Sequence, residues 1–309
     1  LKSLELKGSP YLYSLKTQTL RYRTFQLFNF STFQLLQTAA VGLLLGRAWQ
    51  HIFWDAPYRE LLWDEYWMKD IVAQVLGLSW SEYVNNPLYD ERIQIFTQGL
   101  GWFYVISAMA ALGIQWFPRL ARSVLNTSGL AIFLLSLIAW KEYGWQIGQL
   151  LEYSLQWATP LLLAASSKRS IPEKWIRYAS RAAISATFIG HGLYAAGYYP
   201  VPGNFIEMTM RSLSIGEDAA RTFLFGIGIL DILAALGVIW PVRFKTTIFA
   251  YLILWGLLTS LARVWGYFSI DFFENWWQMW IHELLMRFPH FLVPWFLWRK
   301  ELKSLGLKS

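Results

Sequence analysis

The chain has 309 residues, 55% of them hydrophobic, 18% aromatic and only 15% charged, and its mean hydropathy of +0.32 is too apolar for a soluble domain of this length. Its 27 Lys and Arg against 20 Asp and Glu give a net charge of +7. The bases gather in short connections, so the charge is read as membrane topology and not as a nucleic-acid surface. The absence of cysteine excludes disulfides, thiolate catalysis, CxxC redox chemistry and thiolate metal sites.

The sequence predicts an all-α, polytopic integral membrane protein in a lipid bilayer. Residues 1–31 mix Lys2, Lys7, Lys16, Arg21 and Arg23 with aromatics, the composition of a cytoplasmic or interfacial segment or of a flexible basic tail. Apolar runs of the roughly 20 residues needed to cross a bilayer follow at 32–52, 96–117, 124–141, 146–166, 179–199, 222–240, 246–265 and 276–298. Arg119 and Arg122 occupy the second of the connections, Lys168, Arg169, Lys174 and Arg177 the fourth, and Arg243 and Lys245 the sixth. The tail carries Arg299, Lys300, Lys303 and Lys308, whereas the stretch after the first run holds Asp55, Glu60, Asp64, Glu65 and Asp70. Hydropathy and charge alternation together predict eight spans with both termini cytoplasmic.

The chain also repeats itself. "AALGIQWFP" at 110–118 returns as "AALGVIWP" at 234–241, and Gly46-Arg47 in the first span corresponds to Gly190-His191 in the fifth. Lys141 after the third span stands where Arg263 stands in the seventh, and Glu152, Gln156 and Thr159 align with Glu283, Arg287 and His290. A first four-helix unit at 32–166, with an acidic outer loop at 53–95, is therefore joined by the basic linker 167–178 to a second unit at 179–298 and the tail 299–309. Units with an even number of spans are parallel repeats, which speaks against transport by inverted symmetry.

Ionisable groups inside apolar spans mark the candidate site. Glu283, Arg287 and His290 recur at steps of four and three, one face of a helix, and Glu before Arg is the favourable order for an ion pair. Such groups are costly in hydrocarbon and face a bundle interior or a watered cavity. His191, Asp231 and Arg263 add one group from each of the other helices of the second unit, which is expected to carry the chemistry. His282 points about 100° away from the stripe, and Arg47 and Lys141 are the first unit's corresponding cations. Glu283, His290, His191 and Asp231 are the candidate catalytic groups; Arg287, Arg263, His282, Arg47 and Lys141 are the candidate binding groups. The competing role for Glu283 and Arg287 is to fix helix register, and for Arg263 and Lys141 to snorkel.

Familiar sites are missing. "HELLM" at 282–286 puts Met286 where a zinc-protease helix needs its second His, so no metal is assigned. "GIG" at 226–228 has no third glycine and lies within a span, where helix packing accounts for it. Neither a Ser nucleophile elbow nor a phosphate loop is present.

The second unit resembles the DoxX/DoxD family of four-span membrane proteins. The resemblance lies in Arg181, "FIGHGLYAAG" at 188–197, "PVPGNF" at 200–205, "FLFGIGILDILAALGVIWP" at 223–241 and "FKTTIFAYLILWGLL" at 244–258. It implies a four-helix bundle in membrane redox chemistry, with relatives that reduce quinone or partner secreted redox enzymes. The doubling, the long acidic loop and the lack of cysteine depart from that pattern. The sequence thus predicts a membrane redox protein that binds or reduces a quinone between its helices, with a redox protein docking at the outer loop. A non-catalytic scaffold that docks a partner through Trp54, Trp63, Tyr66 and Trp67, or a small-anion transporter, are the other readings left open.

Overall fold

A computed structural model describes residues 31–168, 170–240 and 243–304, so the basic segment 1–30 lies outside the described residues. The described residues form helices and connections with no strand. Helix α1 (Thr32–Phe53) opens on a capping box in which Ser31 Oγ accepts the Gln34 N–H and the Gln34 side chain accepts the Ser31 N–H. The acidic loop is itself helical: α2 (Tyr58–Leu62), α3 (Glu65–Leu76, capped by Asp64) and α4 (Trp80–Asn85, capped by Ser79 with Glu82). Asn86 caps α5 (Pro87–Leu112), whose Pro87 stands at the first helical position, where no N–H is needed. Pro118 does the same for α6 (Pro118–Glu142).

The fourth predicted span is not one helix but two, α7 (Ile147–Glu152) and α8 (Ser154–Ser166), separated by Tyr153. Next come α9 (Glu173–Ala195), α10 (Gly203–Leu213), α11 (Glu217–Ile239) and α12 (Lys245–Trp265). The last predicted span is likewise divided, into α13 (Phe273–Met286) and α14 (Phe288–Ser304). Its break is written in the sequence: Pro289 lacks an N–H and its ring clashes with the carbonyl four residues back, so the helix ends at Met286 and restarts after Arg287. Helix α10 is not among the predicted elements.

Among the described residues four helices are long and apolar enough to cross a membrane: α5 with its 3₁₀ extension (Pro87–Gln115), α6, α11 and α12. They match the second, third, sixth and seventh predicted spans. Of the other four predicted segments, two are broken into shorter helices, and the remaining two are less apolar for a physical reason. More than half of α1 is buried in protein (12 of 22 residues), whereas only 28–39% of the apolar windows of the four outer helices is buried. An outer helix must be greasy to meet lipid, while an inner helix can carry the polar groups of a bundle interior. Helices α1, α8, α9 and α14 form that interior, and one continuous apolar core runs through them.

The packing is crosswise. Helix α1 lies on α5 but also on α13 and α14, and α9 lies on α11 but also on α7 and α8. Close approach at both crossings depends on glycine: a Cβ at Gly46 would lie 2.8 Å from the Met286 backbone nitrogen, and one at Gly190 would lie 2.8 Å from that of Glu152. Small residues at such contacts let backbones meet where lipid provides no hydrophobic drive for helix association.

Candidate functional site

Five of the nine predicted site residues line one cavity of about 330 Å³: His191 from α9, Asp231 from α11, Arg263 from α12, Arg287 from the break and His290 from α14. Three of them are almost wholly enclosed, Asp231 at 2%, His290 at 4% and Arg263 at 6% exposure. The rest of the wall is largely apolar, with Phe188, Leu224, Ile227 and Trp255. Helix α10 closes it with the face that carries Phe205, Met208, Thr209 and Ser212, a spacing of three and four residues that places all of them on one stripe. Phe223, Leu258 and Leu261 belong to the same wall and are also exposed on the flank of the bundle, so the cavity opens sideways between α11 and α12, toward lipid.

A carboxylate between two guanidinium groups forms the cavity's cationic end. Arg287 donates to Glu283 at 2.5 Å, and Arg263 Nε lies 3.4 Å from the same oxygen. Two cations against one anion leave this end positive. Arg263 Nη1 finds only the Met208 thioether, 3.2 Å away, a weak acceptor for a buried guanidinium. The break at Arg287 matters here, because the backbone carbonyl of Arg287 accepts the His290 N–H at 2.9 Å and seats His290 one turn further along. Gly256 allows α12 to approach that turn, since a Cβ there would stand 2.5 Å from the His290 carbonyl oxygen.

Beyond the cationic end the two histidines face each other, with ring centroids 5.3 Å apart. His191 Nδ1 lies 2.8 Å from Glu152 Oε1, so a residue of the first half reaches the second half's cavity. His290 Nδ1 is buried with no protein partner. Deeper still, Tyr251 donates to Asp231 at 2.7 Å. Three proton-exchanging groups therefore line the cavity, His290, His191 and Asp231, with Tyr251 bonded to Asp231. Among the described residues no three His, Asp or Glu converge to hold a metal ion.

The remaining predicted residues do not line the cavity. Glu283 stands behind its two arginines. His282 lies toward α1, its ring stacked on Trp54 with centroids 6.4 Å apart. Arg47, only 2% exposed, hydrogen-bonds Gln156 and Gln50 and lies 4.9 Å from the centre of the Tyr153 ring. Beside it His51 packs against Tyr58 and Tyr104. Lys141 is held by Asp64 and Glu142, which ties the junction of α2 and α3 to α6, and it does not line the cavity.

Sequence reasoning missed Tyr251, Trp255 and the face of α10, and it gave Glu152 to the first unit alone. Tyr251 had a signal, a hydroxyl within an otherwise apolar run. The reach of Glu152 had none, because it follows from the crosswise packing of α9 on α7. The chain matches no family model, no curated protein and no solved structure.

Proposed function

We propose that the chain is a DoxX-like integral membrane protein of redox metabolism that binds an isoprenoid quinone in the cavity of its second half. The observation that carries this reading is a single pocket that is apolar, opens on the lipid flank and is lined at its inner wall by His191, His290 and Asp231. A quinone needs those properties together: lateral entry for a ring on a hydrocarbon tail, and donors at its carbonyl oxygens. The volume stands at the small end of the roughly 300–1,000 Å³ usual for small-molecule sites, which suits a head ring with its tail left in lipid. The buried, unpartnered Nδ1 of His290 is the polar atom that such a ring would satisfy.

Bound quinone would supply the redox chemistry, taking up two electrons from a partner protein together with two protons. The chain's own groups would bind and protonate. Arg263 and Arg287 orient one carbonyl oxygen; His290, beside His191, hands over a proton; and Glu152 and Glu283 resupply it from the outer side. Asp231, hydrogen-bonded by Tyr251, serves the deeper oxygen. Exposed Tyr66 (91%) and Trp67 (49%) on the acidic α3 fit a partner docking outside.

The same reading has eight spans in two parallel four-helix repeats, in a bacterial inner membrane with both termini cytoplasmic. The inner and outer helices alternate in the same order in each half, and the two breaks, at Tyr153 and Arg287, each precede a proline by seven residues, at Pro160 and Pro294. That register sets Gln156 opposite His290, three residues from the alignment by sequence, and makes the Arg47 and Gln156 contact the counterpart of His191 with His290.

The test is equilibrium binding of a short-tailed benzoquinone to the protein in lipid nanodiscs. His290→Phe and Asp231→Asn should each weaken binding about tenfold or more, the effect of about 1.4 kcal/mol, with the helical content unchanged. Deleting 58–85 should leave it intact. Binding lost with the loop and unaffected by the two cavity variants would favour the scaffold reading instead.

A further inference from the structure

A second cavity, of about 530 Å³, runs along the flank where α8 meets α9 and shares no residue with the polar one. One side is the small-residue face of α9, Ala179, Ala182, Ala183 and Ala186; the other is Trp157 and Leu161 of α8. The opposite crossing shows what this groove lacks. Where α1 meets α14, the ring of Phe288, the first residue of α14, is seated on Gly42. The first residue of α8 is Ser154, which has no ring to place against α9.

The groove ends among Ile171, Trp175 and Ile176, beside the basic linker. Lys168 and Lys174 are exposed there and Arg177 is half-buried, with the Lys174 ammonium 5.8 Å from the Trp175 ring centre. Carboxylates close by are already taken: Glu173 by Lys300, and Glu301 by Arg181 and Lys245. Among the described residues Lys168, Lys174 and Arg177 form no ion pair, and each lies within three residues along the chain of Ile171, Trp175 or Ile176 at the groove's end.

We infer that this groove binds an anionic phospholipid, one acyl chain along the α9 alanine face and the phosphate among Lys168, Lys174 and Arg177. A zwitterionic lipid offers the same tails but leaves the three cations uncompensated. Basic groups at the cytoplasmic ends of helices are the usual means by which a membrane protein selects anionic headgroups.

The full chain, reconstituted in vesicles of equal phosphatidylglycerol and phosphatidylcholine and re-extracted gently, would be weighed by native mass spectrometry. Wild type should retain phosphatidylglycerol in preference to phosphatidylcholine. The variant Lys168→Gln/Lys174→Gln/Arg177→Gln, whose changes lie at the surface, should lose that preference by about tenfold. Ser154→Phe, which puts a ring where α14 has one, should lose the lipid while keeping its charges. Equal retention of both lipids by wild type, or unchanged phosphatidylglycerol in the triple variant, would overturn the inference. So would a dimer that Ser154→Phe dissociates, since the groove would then be an interface between copies.

Discussion

Replacing Glu283 with Gln should destabilise the protein more than removing either arginine it serves. Among the described residues Glu283 is the one carboxylate within ion-pair distance of both Arg263 and Arg287, whose side chains are only 7% and 18% exposed. Removing one member of a buried pair costs about 3–5 kcal/mol, because the other charge is left without compensation. Glu283 is itself 28% exposed, and the screening that this allows puts the expected cost at the lower end, about 3 kcal/mol. Arg287→Leu leaves Glu283 with Arg263 3.4 Å away and should cost about 1–2 kcal/mol, the worth of one charged hydrogen bond. In thermal unfolding followed by tryptophan fluorescence, with about 2 °C lost per kcal/mol in a chain of this size, the drops should be about 6 °C and about 3 °C. The double variant should fall short of their sum by about 1 kcal/mol or more, as expected of groups in contact. Equal drops, or strict additivity, would refute the three-charge cluster.

At the helix crossing, Gly256→Leu should cost about 2 kcal/mol by overpacking against the His290 carbonyl, and should weaken binding of a short-tailed benzoquinone in the same titration. Tyr251→Phe removes the donor to Asp231 and should lower stability by about 1–2 kcal/mol without unfolding the bundle, as thermal unfolding will show. The loop helices α2 and α3 should respond to pH. Lys141, as hydrogen-bond donor, holds the Asp64 carboxyl below its usual value, so the folded form is favoured above the ordinary carboxylate value of about 3.9 and loses that advantage as the pH falls through the lowered one. Hydrogen exchange of residues 58–76, corrected for its intrinsic rate, should therefore rise at acid pH, and Asp64→Asn should raise it already at neutral pH.

Much of the site was legible in the residues because ionisable groups in apolar runs are costly enough to need a reason. That rule alone picked out His191, Asp231, Arg263, Arg287 and His290, which the fold brings to one cavity. Lys141 and Arg47, picked out by the same rule, lie outside that cavity and meet Asp64 and Gln156 instead. The outer helices were legible from hydropathy, since lipid contact dictates composition on an exposed face. The inner helices were not equally so, because protein surrounds them and relaxes that demand. Periodicity treated 276–298 as one helix although Pro289 stood in its middle, and the broken helix changes the site by making the Arg287 carbonyl the acceptor for the His290 N–H. Crosswise packing, and with it the contact of Glu152 with His191, has no periodic signature at all.

The most direct measurement is mass spectrometry of lipid-soluble molecules extracted from protein purified in detergent from its own membranes, wild type beside Arg287→Leu, with an oxidised-minus-reduced absorbance spectrum of each. The account predicts a quinone retained at close to one per chain in the wild type, with a quinone difference spectrum, and lost from the variant while it remains folded. A folded wild type that carries no quinone and shows no redox spectrum would contradict it, and would leave the charged cavity as a device for fixing helix register.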